Sequence, residues 1–233
     1  MTQTPVRTLS LERNSRPRPA TWDDYLAICD DPTIERIRIF FDEGVMWTEM
    51  GEEGLNHASV ADLFTMLIVL WKMNNPEQIV YSLGRCQLER QGHKACAPDL
   101  VVYLDSPLPR WQPGERRFVD LDKAGLPALV GEISDITLAQ DLDQKKHLYA
   151  ALGILEYWVI DVRGRRVLAF LLQDGSYEEC ETSKAFSGLA IDLLEQTLER
   201  VDQEANTDAA LWFSKQLSAC CSADTARVDP PLG

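Results

Sequence analysis

Asp99, Glu132 and Lys145 are polar residues where hydrophobic strands and helices seldom carry them. Asp99 follows Pro98 and opens the apolar run Leu100–Leu104, and Glu132 lies inside the run Leu129–Ser134. Lys145 falls one helical turn after Asp141 and one before Tyr149. On a strand, Val130, Glu132 and Ser134 share one face. A carboxylate there is costly to bury unless it is paired or holds a metal. Two carboxylates from neighbouring strands plus a lysine are the parts needed for Mg²⁺- or Mn²⁺-dependent phosphodiester hydrolysis. The acids hold a hard cation through oxygen, and the cation polarises the phosphate and lowers the pKa of an attacking water. The lysine stabilises charge on the pentavalent phosphate or orients the nucleophile. Ordinary readings exist beside this one. An Asp after Pro is most often a turn residue, and Asp141–Lys145 can be a surface pair worth roughly a few tenths of a kcal/mol. Glu132 is the hardest of the three to explain that way.

The elements that must position these residues can be read from patterning. Thr21-Trp22-Asp23-Asp24 resembles a helix start, with Thr21 as N-cap and an acid at the third position, and the short helix Tyr25–Cys29 stops at Asp31-Pro32. Ile37–Phe41 and Val45–Thr48 are strand-like around Asp42-Glu43-Gly44, a hairpin signal. Residues 56–73 carry apolar residues at helical spacing, from Val60 to Trp71. Short strands follow at Ile79–Ser82 and Cys86–Glu89, then the buried strand Leu100–Leu104. Residues 106–127, with four prolines and two glycines, read as a surface loop. In the second half a strand at Leu129–Ser134 precedes a helix over Asp141–Leu152, capped by Gly153. Strands at Glu156–Ile160, Val167–Leu172 and Tyr177–Glu181 come next, and a helix over Ala209–Leu217 leads into a small-residue tail. The order of elements predicts an α/β (α+β) fold with a mixed sheet. Residues 1–20 are expected to be a flexible arm, 21–205 one domain, and 206–233 a C-terminal helix and loose tail.

The chain has 233 residues, 23 Lys+Arg against 37 Asp+Glu, and a net charge of −14. That acidity weakens a nucleic-acid reading, since phosphate binding is dominated by Lys and Arg. It does not exclude one, because the local field decides and a metal can supply positive charge. The acid is unevenly spread: the balance between Arg85 and Arg117 tips slightly positive, whereas residues 174–204 are strongly acidic. No apolar run approaches the ~20 residues of a membrane span, and the first twenty residues lack the apolar core of a secretory signal. The six cysteines show no CxxC and no ligand spacing with the three histidines. Reduced cytoplasmic thiols are therefore expected rather than a zinc site or a disulfide framework.

Pro98-Asp99-Leu-Val-Val, Val130-Gly131-Glu132-Ile-Ser-Asp-Ile-Thr137, Asp141-x3-Lys145-x3-Tyr149-x3-Gly153 and Glu156-Tyr157-Trp158-Val-Ile-Asp161 occur in that order. This series resembles the Uma-type family of putative restriction endonucleases, within the PD-(D/E)XK nuclease superfamily, over roughly residues 20 to 200. The resemblance implies a restriction-endonuclease-like core, a mixed central sheet flanked by helices with the site at one end of the central strands. It implies Asp99 and Glu132 as metal carboxylates. The superfamily's lysine usually stands two residues after the second acid, where this chain has Ser134. The family offers it on the next helix, at Lys145. Lys146 is its neighbour but points about 100° away on a helix.

The remaining candidates have both a sharp and an ordinary reading. His57 begins the first long helix, where exposure to solvent is the ordinary reading and support of the metal ligands the sharper one. Cys96 is read as a buried structural thiol, and Asp141 as a partner holding Lys145. Tyr157 and Trp158 are assigned to the core, and Asp161 to turn chemistry. The function expected is a Mg²⁺- or Mn²⁺-dependent endonuclease cutting DNA, with a homodimer as a plausible assembly for cutting two strands. A catalytically weak nuclease fold used as a binding module is the main alternative. A hydrolase of small phosphate compounds is a third. A basic rim built from Arg85, Arg90, Lys94, Arg110, Arg116 and Arg117 would discriminate the first from the second.

Overall fold

Thr21 caps the first helix through a reciprocal pair. Its hydroxyl accepts from the Asp24 amide at 3.1 Å while Asp24 Oδ2 accepts from the Thr21 amide at 2.8 Å, the arrangement of a capping box. The computed structural model describes residues 15–34, 37–50, 54–106, 108 and 110–225. The first half runs β1 (Ser15–Pro19), α1 (Trp22–Cys29), β2 (Ile37–Asp42), β3 (Val45–Met50), α2 (Leu55–Asn74), β4 (Val80–Leu83), β5 (Leu88–Arg90), β6 (Lys94–Cys96) and β7 (Leu100–Leu104). There follow β8 (Val119–Asp120), α3 (Leu121–Ala124), β9 (Leu129–Ser134), α4 (Leu138–Gln140), a π-helical turn over Asp141–Lys145, and α5 (Lys146–Leu152). The chain continues through β10 (Glu156–Asp161), β11 (Arg166–Gln173), β12 (Ser176–Glu179), α6 (Ile191–Arg200) and α7 (Asn206–Thr225).

The strands form two mixed six-stranded sheets, ordered β1-β3-β2-β6-β5-β8 and β12-β11-β10-β9-β7-β4. The second is the mixed central sheet expected from the sequence, with β9 and β10 parallel and the helical segment 138–152 joining them. The first grows around the β2–β3 hairpin. Glu43 and Gly44 both take positive φ, 42° and 97°, between the paired residues Asp42 and Val45. Two left-handed residues in a two-residue loop give the turn whose twist matches the flanking strands.

Alternation along the strands sorts three cores. One face of the central sheet, with Leu129, Ile133, Trp158 and Ile160, packs on α2, α6 and α7. Its other face, with Val130, Tyr157 and Val159, packs on α5 and on Phe40 and Trp47 from the hairpin. The far side of the hairpin, with Ile39, Phe41 and Met46, is covered by Tyr25 and Ile28 of α1. The middle layer between the two sheets is where the polar residues converge.

Several elements differ from the sequence expectation. Ser15–Pro19, assigned there to a flexible arm, pair with β3 at the sheet's edge, a place in a sheet where Pro17 and Pro19 are tolerated. Residues 1–14 of that arm and the tail beyond 225 lie outside the described residues. β6 is too short and too mixed in polarity to show as a periodic run. β8 and α3 sit inside the segment read as a loop, with Asp120 capping α3 at 3.1 Å to the Asp122 amide. Among the described residues no helix is long and apolar enough to cross a membrane, and Cys29, Cys86, Cys96 and Cys180 are free thiols.

Two glutamates are buried in adjacent central strands, and their partners set them apart. Glu156 is fully buried and saturated by neutral donors: Trp158 Nε1 at 2.7 Å and the amides of Lys184 and Ala185 at 2.9 and 2.7 Å. That role is structural, tying the 183–186 loop to β10. Glu156→Ala is expected to lower stability by roughly 3 kcal/mol, since it strands buried donors that now bond a charge. Urea denaturation measures this.

Candidate active site

β7 and β9 are antiparallel with Leu100 opposite Gly131. Continuing that register sets Asp99 across from Glu132 on one face of the sheet. Gly131 permits the approach, because a Cβ there would lie 3.3 Å from Leu100 Cδ1. All six residues of β9 are buried. Glu132 looks into the layer between the sheets, and Asp141 and Lys145 enter that layer from the π-helical turn. Such turns are single widened turns in a helix, frequent at functional sites. From the opposite side the β2–β3 hairpin contributes Arg38 and Glu49, which pair across the strands.

The contacts are close. Arg38 Nη1 lies 2.6 Å from Asp99 Oδ1 and 3.7 Å from Glu132 Oε2, so one guanidinium nitrogen bridges the two carboxylates. Arg38 Nη2 is 3.4 Å from Glu49 Oε2. Lys145 Nζ is 3.1 Å from Glu132 Oε2, 2.9 Å from Asp141 Oδ1 and 2.9 Å from Glu49 Oε2. The Tyr149 hydroxyl donates to Glu132 Oε1. Asp99 Oδ2 accepts from the Ile133 amide at 2.9 Å and lies 3.2 Å from His57 Nε2. Thr137 Oγ1 donates to Asp141 Oδ2 at 2.6 Å.

The charges do not balance. Among the described residues, four carboxylates, from Asp99, Glu132, Glu49 and Asp141, face two permanent cations, Arg38 and Lys145. With all four ionised, two negative charges are in excess. Glu132 carries the strain: burial raises its pKa, Asp99 and Asp141 add to that, and Lys145 and Arg38 offset only part, so it is pushed up to about 8. Burial would raise Asp99 too, but the His57 hydrogen bond and the charges of Arg38 and Lys145 outweigh it and bring the group down to about 2. Burial disfavours the ammonium of Lys145, yet Glu132, Asp141 and Glu49 overcome that and raise its pKa, so it stays charged. The two carboxylates across the strands thus differ in kind, one firmly ionised and one poised.

The residues singled out from the sequence fall as follows. Asp99, Glu132 and Lys145 converge, with Asp141 on Lys145 Nζ. Lys146 points away, its Nζ 3.6 Å from the centre of the Phe170 ring. His57, whose ordinary reading was an exposed helix start, is instead buried against Asp99. Cys96 is a buried free thiol, and Tyr157 and Trp158 are core. Asp161 Oδ1 accepts from the amides of Arg163 and Gly164 at 3.1 and 2.9 Å, which is turn chemistry. Sequence reasoning missed Arg38 and Glu49. The signal lay in the hairpin, where the register that pairs Asp42 with Val45 also pairs Arg38 with Glu49.

Whether a divalent cation suits this cluster can be tested on its atoms. The donors are carboxylate oxygens, the ligand type that Mg²⁺ and Mn²⁺ prefer. With all four acids ionised, the excess of negative charge matches one divalent ion. Glu49 Oε1 and Ser134 Oγ are buried without hydrogen-bond partners, Ser134 two residues along the strand face from Glu132. Among the described residues no three acid, imidazole or thiol groups converge on one point, because Arg38 and Lys145 lie between the acids. The donor chemistry fits, with Asp99 and Glu132 as the pair that share one cation already.

The model of the Uma2 family, described as "Putative restriction endonuclease", matches residues 22–203. No curated protein matches the chain. Among solved structures, a putative nuclease belonging to DUF820 from Anabaena variabilis ATCC 29413 is similar over 84% of this chain and 99% of that one. Sequence identity is 20% and the TM-score 0.50, a likeness of fold.

Proposed function

This chain belongs to the Uma2 family, and on that premise we propose that it is a Mg²⁺- or Mn²⁺-dependent endonuclease hydrolysing DNA phosphodiester bonds. The observation that carries the reading is the pair Asp99 and Glu132, buried on neighbouring strands and bridged by one guanidinium nitrogen, with Lys145 on the same Glu132 oxygen. Asp99 and Glu132 would hold the cation. When bound, the ion supplies Lewis-acid polarisation of the phosphate and a more acidic water. Lys145 orients Glu132 and favours its ionised form, and Tyr149 fixes its second oxygen. Asp141 and Thr137 hold the lysine in turn. Arg38, with 13% of its side chain exposed against 1% for Asp99 and Glu132, is the first of these groups a phosphate would meet. It is suited to stabilise charge there. Cutting both strands of a duplex would call for two such sites, hence two chains.

The direct test is calorimetric titration with Mn²⁺ beside oligonucleotide cleavage. Binding and cleavage together in the wild type, and neither in Asp99→Asn, support the reading. Binding without cleavage counts against it.

One observation favours the second reading, a nuclease fold that binds without cutting. Arg38 lies between the carboxylates where a cation would be shared. If the guanidinium merely competes with the ion, Arg38→Met is expected to bind Mn²⁺ on the order of tenfold more tightly, about 1.4 kcal/mol. Its melting temperature should also rise more steeply with Mn²⁺ than the wild type's. A Mn²⁺-insensitive Arg38→Met would mean that the guanidinium is a permanent part of the cluster.

A further inference from the structure

Away from the carboxylate cluster, a cleft of about 1080 Å³ lies between the β4–β5 connection and the 108–123 segment. Five basic side chains line it: Arg85, Arg110, Arg116, Arg117 and Lys123. Among the described lining residues the acids are Glu115 and Asp120. In a chain of net charge −14, this is a concentration of positive charge that folding has gathered from two separated segments. Arg116 and Lys123 have acidic partners among the described residues. Arg116 forks onto buried Glu89 at 2.8 and 3.2 Å, and Lys123 lies 3.0 Å from Asp120. Arg85, Arg110 and Arg117 are exposed. Of the other cations considered for a basic rim, Lys94 is buried against Asp42 and Glu43, and Arg90 lies 3.7 Å from Asp122.

An aromatic ring stands among these cations. Trp111 is 49% exposed, yet its edge is fixed, since Nε1 donates to the Glu115 carbonyl at 2.9 Å. The guanidinium of Arg117 sits 5.2 Å from its ring centre. Arginines that track phosphates, interleaved with an aromatic face, are the parts of a single-strand binding groove. A duplex keeps its bases stacked inside and offers such a ring no face. Gly84, which lines the cleft, approaches the backbone of Asp99: a Cβ there would lie 3.6 Å from the Asp99 carbonyl oxygen.

We propose that this cleft binds single-stranded DNA beside the carboxylate cluster, with Arg110 and Arg117 on phosphates and Trp111 under an unpaired base. The choice of DNA rests on the nuclease reading above; the cleft itself does not. Its volume is just above the range of about 300–1,000 Å³ that encloses a drug-sized ligand, room for a few nucleotides of a longer strand.

The test is fluorescence anisotropy of a labelled oligodeoxythymidylate in EDTA, over a series of KCl concentrations, with a blunt duplex in parallel. The wild type should bind the single strand more tightly than the duplex. Trp111→Ala should weaken that binding roughly 5- to 150-fold, and Arg110→Ser/Arg117→Ser should flatten the salt slope by about 1.4. Circular dichroism confirms that these exposed substitutions leave the fold intact. Wild-type affinity in both variants, equal affinity for the duplex, or no binding by the wild type would each overturn the proposal. Binding lost in the variants while no metal supports cleavage would keep the cleft and remove the nuclease reading. Cleavage with unaltered binding in the variants would do the reverse.

Discussion

Lys145→Met is expected to lower the unfolding free energy by about 3–5 kcal/mol, the cost of breaking a buried ion pair from one side. Nζ stands within 2.9 to 3.1 Å of three carboxylates, and the side chain is 1% exposed. Methionine fills the volume but leaves Glu132, Asp141 and Glu49 facing one another, with Arg38 as the remaining cation among the described residues. The loss has a specific remedy. Removing one acid as well, in Lys145→Met/Glu132→Gln, should recover part of it, with an interaction energy of roughly 0.5–3 kcal/mol in a double-mutant cycle. Urea denaturation of the four proteins measures this. Strictly additive losses would mean that the ammonium and Glu132 are not coupled, contrary to the geometry. The same substitution should abolish cleavage, so activity is best compared at a temperature where the variant is folded.

Asp99→Asn is the second large effect. The substitution keeps size and shape and removes one charge, from the carboxylate that its neighbours hold ionised at a pKa of about 2. Its partners are Arg38, the Ile133 amide and His57, so an amide there turns donors toward donors and loosens the Arg38 bridge. DNA cleavage should fall by at least about 10³-fold, the upper end for loss of one preorganised charge-stabilising group. Mn²⁺ binding should go with it. Stability should change less than in Lys145→Met, because the lost charge belongs to the side in excess.

Much of this site was legible from residue types on regular elements. A glutamate in an apolar strand and an aspartate opening the strand that pairs with it needed only strand alternation. Lys145 over Lys146 needed only the helical period. His57 was legible too, since it falls on the same stripe as Val60, Phe64, Leu67 and Trp71. It was read instead from its place near the helix start, where exposure is commoner. Arg38 and Glu49 were half legible, because the turn sets their register, but that they face Glu132 depends on how the hairpin's sheet packs on the central one. That is tertiary packing, with no signature along the chain. The π-helical turn at Asp141–Lys145 was not legible, since its widened turn has no compositional mark. The basic cleft was half legible: Arg85, Arg110, Arg116 and Arg117 were candidates for a basic rim, but that they line one cleft with Lys123 and Trp111 depends on folding.

The role proposed for Asp99 and Glu132 is to hold a metal for DNA cleavage. Its most direct test is incubation of supercoiled plasmid with the wild type and with Asp99→Asn, prepared identically, in Mg²⁺, Mn²⁺ or EDTA. Nicked and linear product is expected from the wild type with either metal, and none with EDTA or from Asp99→Asn. Intact plasmid throughout, or equal cutting by both proteins, would contradict it.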